Sequence, residues 1–469
     1  MKKIILIFQL FFISILYGQD PIKGVILNTE TNTPVVNANI YFNNTSIGTI
    51  SNEDGAFVLR ISEKLSNKTL MFSSLGFETQ EIEVLKLKRH SDIIIKLKPI
   101  NVLLDEVIIT TSKTKLDGFQ IVEKAFENYE TNLPIEPYVA KGFIRHTEKT
   151  EKEYKWLVEG AFEMYDPGFD EKRGVKINVL ENRKSLDNRV LDTAYMVRTY
   201  LRDVNNSSFR KNYKIAKDYK AISPIELDKA FVFYDNHYTS GYNKEMGLIE
   251  KLLSTDINKI RYFNKNEASF SKKNLKLYKF KIDTVLGYGD ERVYKIKFSK
   301  LNKKSSRLDV GYLFVQNKSY AITEVEYSVL LAKPHHRRKV TGQKMLYATN
   351  IKFKEYNEKM YPFYISHKTF KTNNLRLLRN IENNKKEVPS IGHISHQEIL
   401  FSEIINQKNA ISKITSNLKL WNDNLFLKKK YNPSFWDNYN IFLESKEQQK
   451  QVKDLEQKMN LKEQFLNNN

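Results

Sequence analysis

The strongest constraint on this chain is a two-residue alternation that fills its first hundred residues. From Pro21 to Pro99, apolar residues recur at every second position in seven short runs: "IKGVIL", "ANIYF", "IGTIS", "AFVLRI", "TLMFSS", "TQEIEV" and "DIIIKL". Polar turns such as "NTETNTP", "NNTS" and "NEDG" separate them. Short alternating runs at regular spacing predict a seven-stranded antiparallel β-sandwich. In "AFVLRI", Phe57, Leu59 and Ile61 fall on one face, which requires burial against a second sheet. The turn at Asn52, Glu53, Asp54 and Gly55 crowds acidic and amide side chains beside a glycine. A calcium loop needs more oxygen ligands at alternating positions and a distant Glu. These four residues instead fit a turn in which Gly55 takes a positive φ.

With no cysteine in 469 residues, neither a disulfide framework nor a thiolate metal site is available, so the fold rests on packing. The first residues, "MKKIILIFQLFFISILYGQD", place Lys2 and Lys3 before an apolar run from Ile4 to Leu16 and a small residue at Gly18. That order reads as a secretory signal peptide over residues 1–18, cleaved before Gln19. The run falls short of the roughly 20 residues that span a bilayer, and no later segment is long and apolar enough to cross as a helix. The expected localisation is exported: periplasmic or associated with the outer membrane.

The stretch "GVILNTETNTPVVNANIYFNNTSIGTISNEDGAFVLRI", with "SSLGFETQEIEV" and "LKP", resembles the carboxypeptidase-regulatory-like domain of the Bacteroidetes. The resemblance covers residues 20–99 and implies a transthyretin-like sandwich, of a kind also found at the front of TonB-dependent receptors. The following "LLDEVIITTSK" resembles the segment that leaves this domain in those receptors. The family name implies no peptidase here. The chain has no His-Glu-x-x-His, no His-x-x-Glu and no Gly-x-Ser-x-Gly elbow, and His90 is the only histidine of the front domain.

Residues 100–135 change period. Phe119, Val122, Phe126 and Tyr129 recur at helical steps, Asp117 stands where an N-cap belongs, and Pro134 and Pro137 stop the pattern. This linker helix should dock on the next domain. Residues 136–425 return to strands, among them "YVAKGFIRHTEK", "EYKWLVEGAFEMY", "LKLYKFKIDTVL", "RVYKIKFS", "GYLFVQ", "YAITEVEYSVLL", "KMLYATNIKFKEYN" and "MYPFYISHKTFK". A more helical part, "SPIELDKAFVFYD" and "NKEMGLIEKLLSTDINKI", lies between them. The predicted architecture is mainly β, of α+β type: an antiparallel sheet with helices packed on one face. The strand–"QNKS"–strand order resembles the curved sheet of lipoprotein-carrier proteins at the level of fold. Lysines are too dense along these strands for a lipid-facing barrel wall. Residues 426–469 supply an aromatic anchor at Phe435, Trp436 and Tyr439, then a C-terminal helix striped by Val452, Leu455 and Met459. Together with "EKAFENY", "GFIRHTEK" and "EGAFEMY", this tail is similar to exported Bacteroidetes proteins that follow the same front domain with a β-rich domain of unassigned activity.

Chemistry-bearing clusters are sparse. "KPHHRRK" gathers His335, His336, Arg337, Arg338 and Lys339 in a hairpin loop, the densest basic cluster and the one candidate for anion contact. His393 and His396 stand three apart, but "HISHQEILF" reads as a strand, which sends them to opposite faces. The charge of +21 is spread along the chain and favours anionic surfaces only generally. Export argues against nucleic acid as the partner. The sequence therefore predicts a non-enzymatic envelope protein, without cofactor or metal, with a docking module and a sheet domain that binds a ligand, a protein partner or an anionic outer-membrane component. An accessory or relative of TonB-dependent transport is the second reading, and a hydrolase without a recognisable motif the third.

Overall fold

The structure is a computed structural model that describes residues 21–87, 93–100, 116–150, 153–169, 174–188, 272–287, 292–333, 335, 338, 343–371, 393–425, 429–441 and 443–467. The leader, the "LLDEVIITTSK" segment, His90 and the helical stretch read between residues 223 and 260 lie outside them.

All seven predicted front strands form: β1 (Ile22–Asn28), β2 (Asn39–Phe42), β3 (Gly48–Ile50), β4 (Ala56–Leu59), β5 (Thr69–Ser73), β6 (Gln80–Glu83) and β7 (Ile93–Leu97). They make two sheets, β4-β1-β7 and β3-β2-β5-β6. Phe57 and Leu59 join Ile26, Ile40, Phe42, Leu70, Phe72 and Leu97 in a core fully withdrawn from water. One pair departs from the antiparallel expectation: β1 and β7 run parallel, from Gly24 opposite Ile93 to Asn28 opposite Leu97. Adjacent runs in a sequence suggest hairpins, whereas a first–last pairing uses the whole intervening domain as its crossover. Gly55 has φ +73°, and a Cβ there would lie 2.4 Å from the Ile26 carbonyl oxygen, so turn and strand contact together demand glycine.

Helix α1 (Gly118–Glu127) begins as the sequence indicates. The Asp117 carboxylate accepts the Gln120 N–H while the Gln120 side chain accepts the Asp117 N–H, a reciprocal capping box. Its buried stripe is Ile121, Val122, Ala125 and Phe126, with Phe119 only partly covered.

The remaining strands form a single ten-stranded antiparallel sheet. They are β8 (Tyr138–Lys149), β9 (Tyr154–Asp166), β10 (Lys176–Lys184), β11 (Lys279–Leu286), β12 (Val293–Asn302), β13 (Arg307–Gln316), β14 (Ile322–Leu331), β15 (Met345–Tyr356), β16 (Lys359–Lys371) and β17 (His393–Ile405). The spatial order is β10-β9-β8-β17-β16-β15-β14-β13-β12-β11. Two meanders thus meet where β17 pairs with β8, from Ile394 opposite Lys149 to Ile405 opposite Val139. Among the described residues, β10 and β11 stand at the two ends of the row. The "YNEK" turn between β15 and β16 holds Asn357 and Glu358 at φ 49° and 59°, the geometry of a two-residue hairpin. Strand β10 escapes the sequence reading because a bulge between Val179 and Glu181 interrupts its alternation.

Both faces of the sheet are covered, where one had been expected. Helix α1 packs on one, its apolar stripe against the row containing Ile296 and Leu313. The front sandwich and the C-terminal segment lie on the other. That segment holds α2 (Pro433–Asn438), α3 (Lys446–Leu455) and α4 (Leu461–Asn467). The predicted single C-terminal helix is therefore broken after Leu455: Leu455 is buried, while Met459 falls in the break. The aromatic anchor is present as read, with Trp436 buried, Phe435 and Tyr439 stacked at 5.1 Å, and Phe143 edge-on to Trp436 at 6.2 Å.

Candidate functional site

Register turns the ten strands into lateral rows of side chains, and successive rows on the α1 face change in character. One row is aliphatic across eight strands: Ile144, Ile399, Ile365, Ile351, Val325, Leu313, Ile296 and Ile282. The next, two residues along each strand, mixes His146, Gln397, His367, Thr349, Tyr327, Gly311, Phe298 and Phe280. The third is mostly polar: Trp156, Glu148, Ser395, Thr369, Tyr347, Val329, Asp309 and Lys300. An aliphatic end therefore grades within three rows into a polar rim.

A ladder of rings spans this gradient. Tyr278, Phe298, Tyr327, Tyr347 and His367 follow one another at centroid separations of 6.0, 6.0, 5.9 and 5.6 Å. Phe298 and Tyr327 stack across β13 because Gly311 lies between them. A Cβ at Gly311 would stand 1.8 Å from the Glu326 carbonyl oxygen and 2.7 Å from the Phe298 ring. The Tyr278 hydroxyl donates to Asp309 at 3.3 Å. Burial pushes the Asp309 carboxyl above its ordinary range, with Lys300 and the tyrosine hydroxyls opposing it. His367 Nδ1 lies 2.7 Å from Thr349 Oγ1, and burial pushes its pKa down to about 4, so the ring is neutral at pH 7. Tyr347, His367, Thr369, Asp309 and Lys300 are partly buried.

The sandwich face is built on charge. Its central row reads Lys281, Lys297, Tyr312, Glu326, Asn350, Ser366, Glu398, Arg145, Glu159 and Arg183. At its β8–β10 end, Glu159 bridges two guanidiniums, with Arg145 Nε at 2.6 Å and Arg183 Nε at 2.5 Å. Glu159 and Arg145 are almost wholly buried, and Arg183 lies 4.4 Å over the Trp436 ring. Burial would raise the Glu159 pKa, but Arg183 and Arg145 hold it below the ordinary value. Burial likewise opposes the charge of Arg145, and Glu159 with Glu398 more than offsets it.

Over this row the front domain and the C-terminal segment close together. Ser46 Oγ donates to the Ile404 carbonyl at 2.9 Å and accepts the Ile404 N–H at 2.8 Å. The Lys354 amine reaches the Ile47 carbonyl at 3.4 Å, lies 4.7 Å over the Tyr41 ring, and has its pKa pushed down to about 7 by burial. The Asn52–Gly55 turn faces the C-terminal segment: Asp54 Oδ2 accepts the Lys446 N–H at 2.6 Å, and Asn52 Nδ2 donates to the Leu443 carbonyl at 3.4 Å. Asp54 thus adds a carboxylate at the N-terminus of α3, where the helix dipole favours one. The turn read from sequence is a clasp. Among the described residues, no group of three or more His, Asp or Glu could hold a metal ion.

Of the basic loop, His336, Arg337 and Lys339 lie outside the described residues. Arg338 Nη1 donates to the Leu331 carbonyl at 2.7 Å, and the His335 N–H to the Ala332 carbonyl at 3.0 Å. His396 lies on β17, with Nε2 2.9 Å from Ser366 Oγ. Sequence reasoning singled out neither Glu159 nor the Tyr347–His367–Asp309 group, because each is assembled by cross-strand register. Strand parity within "YKWLVEG" and "YISHKTF" is the one signal that carried them.

Residues 22–109 match the CarboxypepD_reg-like domain family, so the front sandwich is a carboxypeptidase-regulatory-like domain. No curated protein matches the chain. Two solved structures are similar at low levels. A DUF1329 family protein from Desulfovibrio piger shares 8% identity at a TM-score of 0.23, over 62% of this chain and 92% of that one. A putative membrane-associated protein of unknown function from Bacteroides fragilis shares 10% identity at a TM-score of 0.14, over 82% and 98%. No enzyme family emerges from these comparisons.

The ion cluster generates a stability prediction. Glu159→Leu leaves Arg145 and Arg183 facing each other without their shared carboxylate, and should lower the unfolding free energy by about 3–5 kcal/mol in urea titrations. A loss within ~0.5 kcal/mol, the range of an unremarkable surface substitution, would show that the cluster is not buried as described.

Proposed function

We propose that the chain is an exported envelope protein in which the regulatory-like domain is a docking module fixed to the ten-stranded sheet, and the sheet binds a small amphipathic ligand along its α1 face. The observation that carries this reading is the three-row gradient. Helix α1 occupies the aliphatic end at β11–β13, with Gly118 in close contact with Phe280 and Lys281. The partly exposed rings of Tyr347 and His367 would take the apolar body of the ligand. Asp309 and Lys300 would take its polar head. Ligand sites commonly combine an apolar lining with a few convergent polar groups.

Export is supported by the leader order and by the front domain, which often belongs to exported proteins. Cell fractionation with N-terminal mass spectrometry should find a mature chain beginning at Gln19 outside the cytoplasm. A cytoplasmic chain that retains Met1–Gly18 would contradict export. For the ligand, calorimetric titration with dodecanoate or dodecyl maltoside should give saturable binding. Tyr347→Ala should weaken it about tenfold, equivalent to about 1.4 kcal/mol. The absence of saturable binding to either probe would remove the ligand reading and leave the docking module.

A further inference from the structure

The sandwich face carries a second arrangement, independent of the ligand gradient on the opposite face. Ser366 on β16 is the direct partner of Glu398 on β17, and Lys368 is the partner of His396. All point to the same face, since they are two residues apart along their strands. Ser366 Oγ lies 2.9 Å from His396 Nε2, and His396 Nδ1 lies 3.8 Å from Glu398 Oε2. The Tyr364 hydroxyl donates to the other oxygen, Glu398 Oε1, at 2.9 Å, and so fixes the carboxylate. A hydroxyl, an imidazole reached through Nε2 and a carboxylate facing Nδ1 stand in the order that activates a serine nucleophile. The Nδ1–carboxylate separation exceeds a hydrogen bond, as is common in such groups before substrate tightens them.

Two features of the surroundings suit that role. His396 and Glu398 keep only 18% and 16% of their side chains exposed, so the group is largely desolvated. Burial, with Lys368 and Lys149 adding to it, pushes the His396 pKa down to about 4, while Glu398 opposes the shift. The imidazole is then neutral at pH 7, and Glu398 is the group that favours its protonated form.

We propose that Ser366, His396 and Glu398 form a nucleophilic site for acyl transfer from carboxylic esters. Ser366 Oγ attacks the ester carbonyl as its proton passes to His396 Nε2. The carbon–oxygen bond to the alcohol breaks, and His396 returns that proton to the departing alkoxide. Water then attacks the acyl-serine and gives a proton to His396 Nε2; the Ser366–acyl bond breaks, His396 returns that proton to Ser366 Oγ, and a carboxylic acid leaves. Glu398 is a positioning residue that holds the imidazole tautomer with Nδ1 protonated.

The test is covalent labelling of the full chain with an alkyl fluorophosphonate, which forms a phosphoryl-serine and releases fluoride. Peptide mapping should place the adduct on Ser366, and His396→Gln should slow labelling about a hundredfold, the scale of a lost general base. A second variant keeps the test independent of probe fit. Ser366→Cys creates the single thiol of a cysteine-free chain. With His396 in place, that thiol should react with iodoacetamide at pH 6 about tenfold faster than in the Ser366→Cys, His396→Gln double variant, because the imidazole lowers its pKa. Equal thiol reactivity in the two variants, or a fluorophosphonate adduct unchanged in Ser366→Ala, would overturn the proposal.

Discussion

The pairing of β17 with β8 is the constraint on which the rest of the molecule depends. It joins strands from opposite ends of the second domain, with Val139 opposite Ile405 and Lys149 opposite Ile394. Closing so long a loop is entropically costly before any contact rewards it. Register is the return on that cost. Alternation means that a slip of one residue would exchange the two faces, placing the isoleucine row among the lysines and the Glu159 ion cluster on the opposite face of the sheet. The β17–β8 seam therefore sets what each face of the sheet can do.

The seam also explains how the front domain is held. A bulge between Phe401 and Glu403 interrupts the ladder, and immediately beyond it Ser46 engages the Ile404 backbone in both directions. Ile50 enters the same apolar cluster as Phe143, Leu400 and Trp436. Arg60 completes the contact, donating to the Asp437 and Tyr439 carbonyls while its N–H donates to Asn440 Oδ1. Sandwich, sheet and C-terminal segment thus share one interface, so the front domain is held first of all by its own chain. The polar turn at Asn52–Gly55 gains a purpose there that its local sequence does not declare.

Local chemistry was legible in the sequence, and long-range chemistry was not. All seven front strands, the Asp117 cap and most strands of the large sheet follow from period and punctuation within a few residues. Strand β10 was lost to its bulge, and the C-terminal helix was drawn too long because Val452, Leu455 and Met459 keep helical spacing across a real break. The parallel β1–β7 pair reflects topology that adjacent runs do not encode. At the level of sites, the basic loop drew attention because its charges are contiguous. Glu159, Asp309 and Ser366 drew none, because their partners are supplied by other strands. The Ser366–His396 pair has no spacing that a motif could capture; it exists only once β16 and β17 are in register.

The central claim is that one register, through the β17–β8 seam, composes both faces. Lys141 and Glu403 face each other directly across that seam, with their charged groups 2.7 Å apart. The chain has no cysteine, so Lys141→Cys with Glu403→Cys introduces its only two thiols. Under mild oxidation of the folded protein, the account predicts an intramolecular disulfide, seen as a mass lower by two hydrogens and loss of alkylation at both positions. Two thiols that stay free and alkylate independently in the folded protein would contradict it.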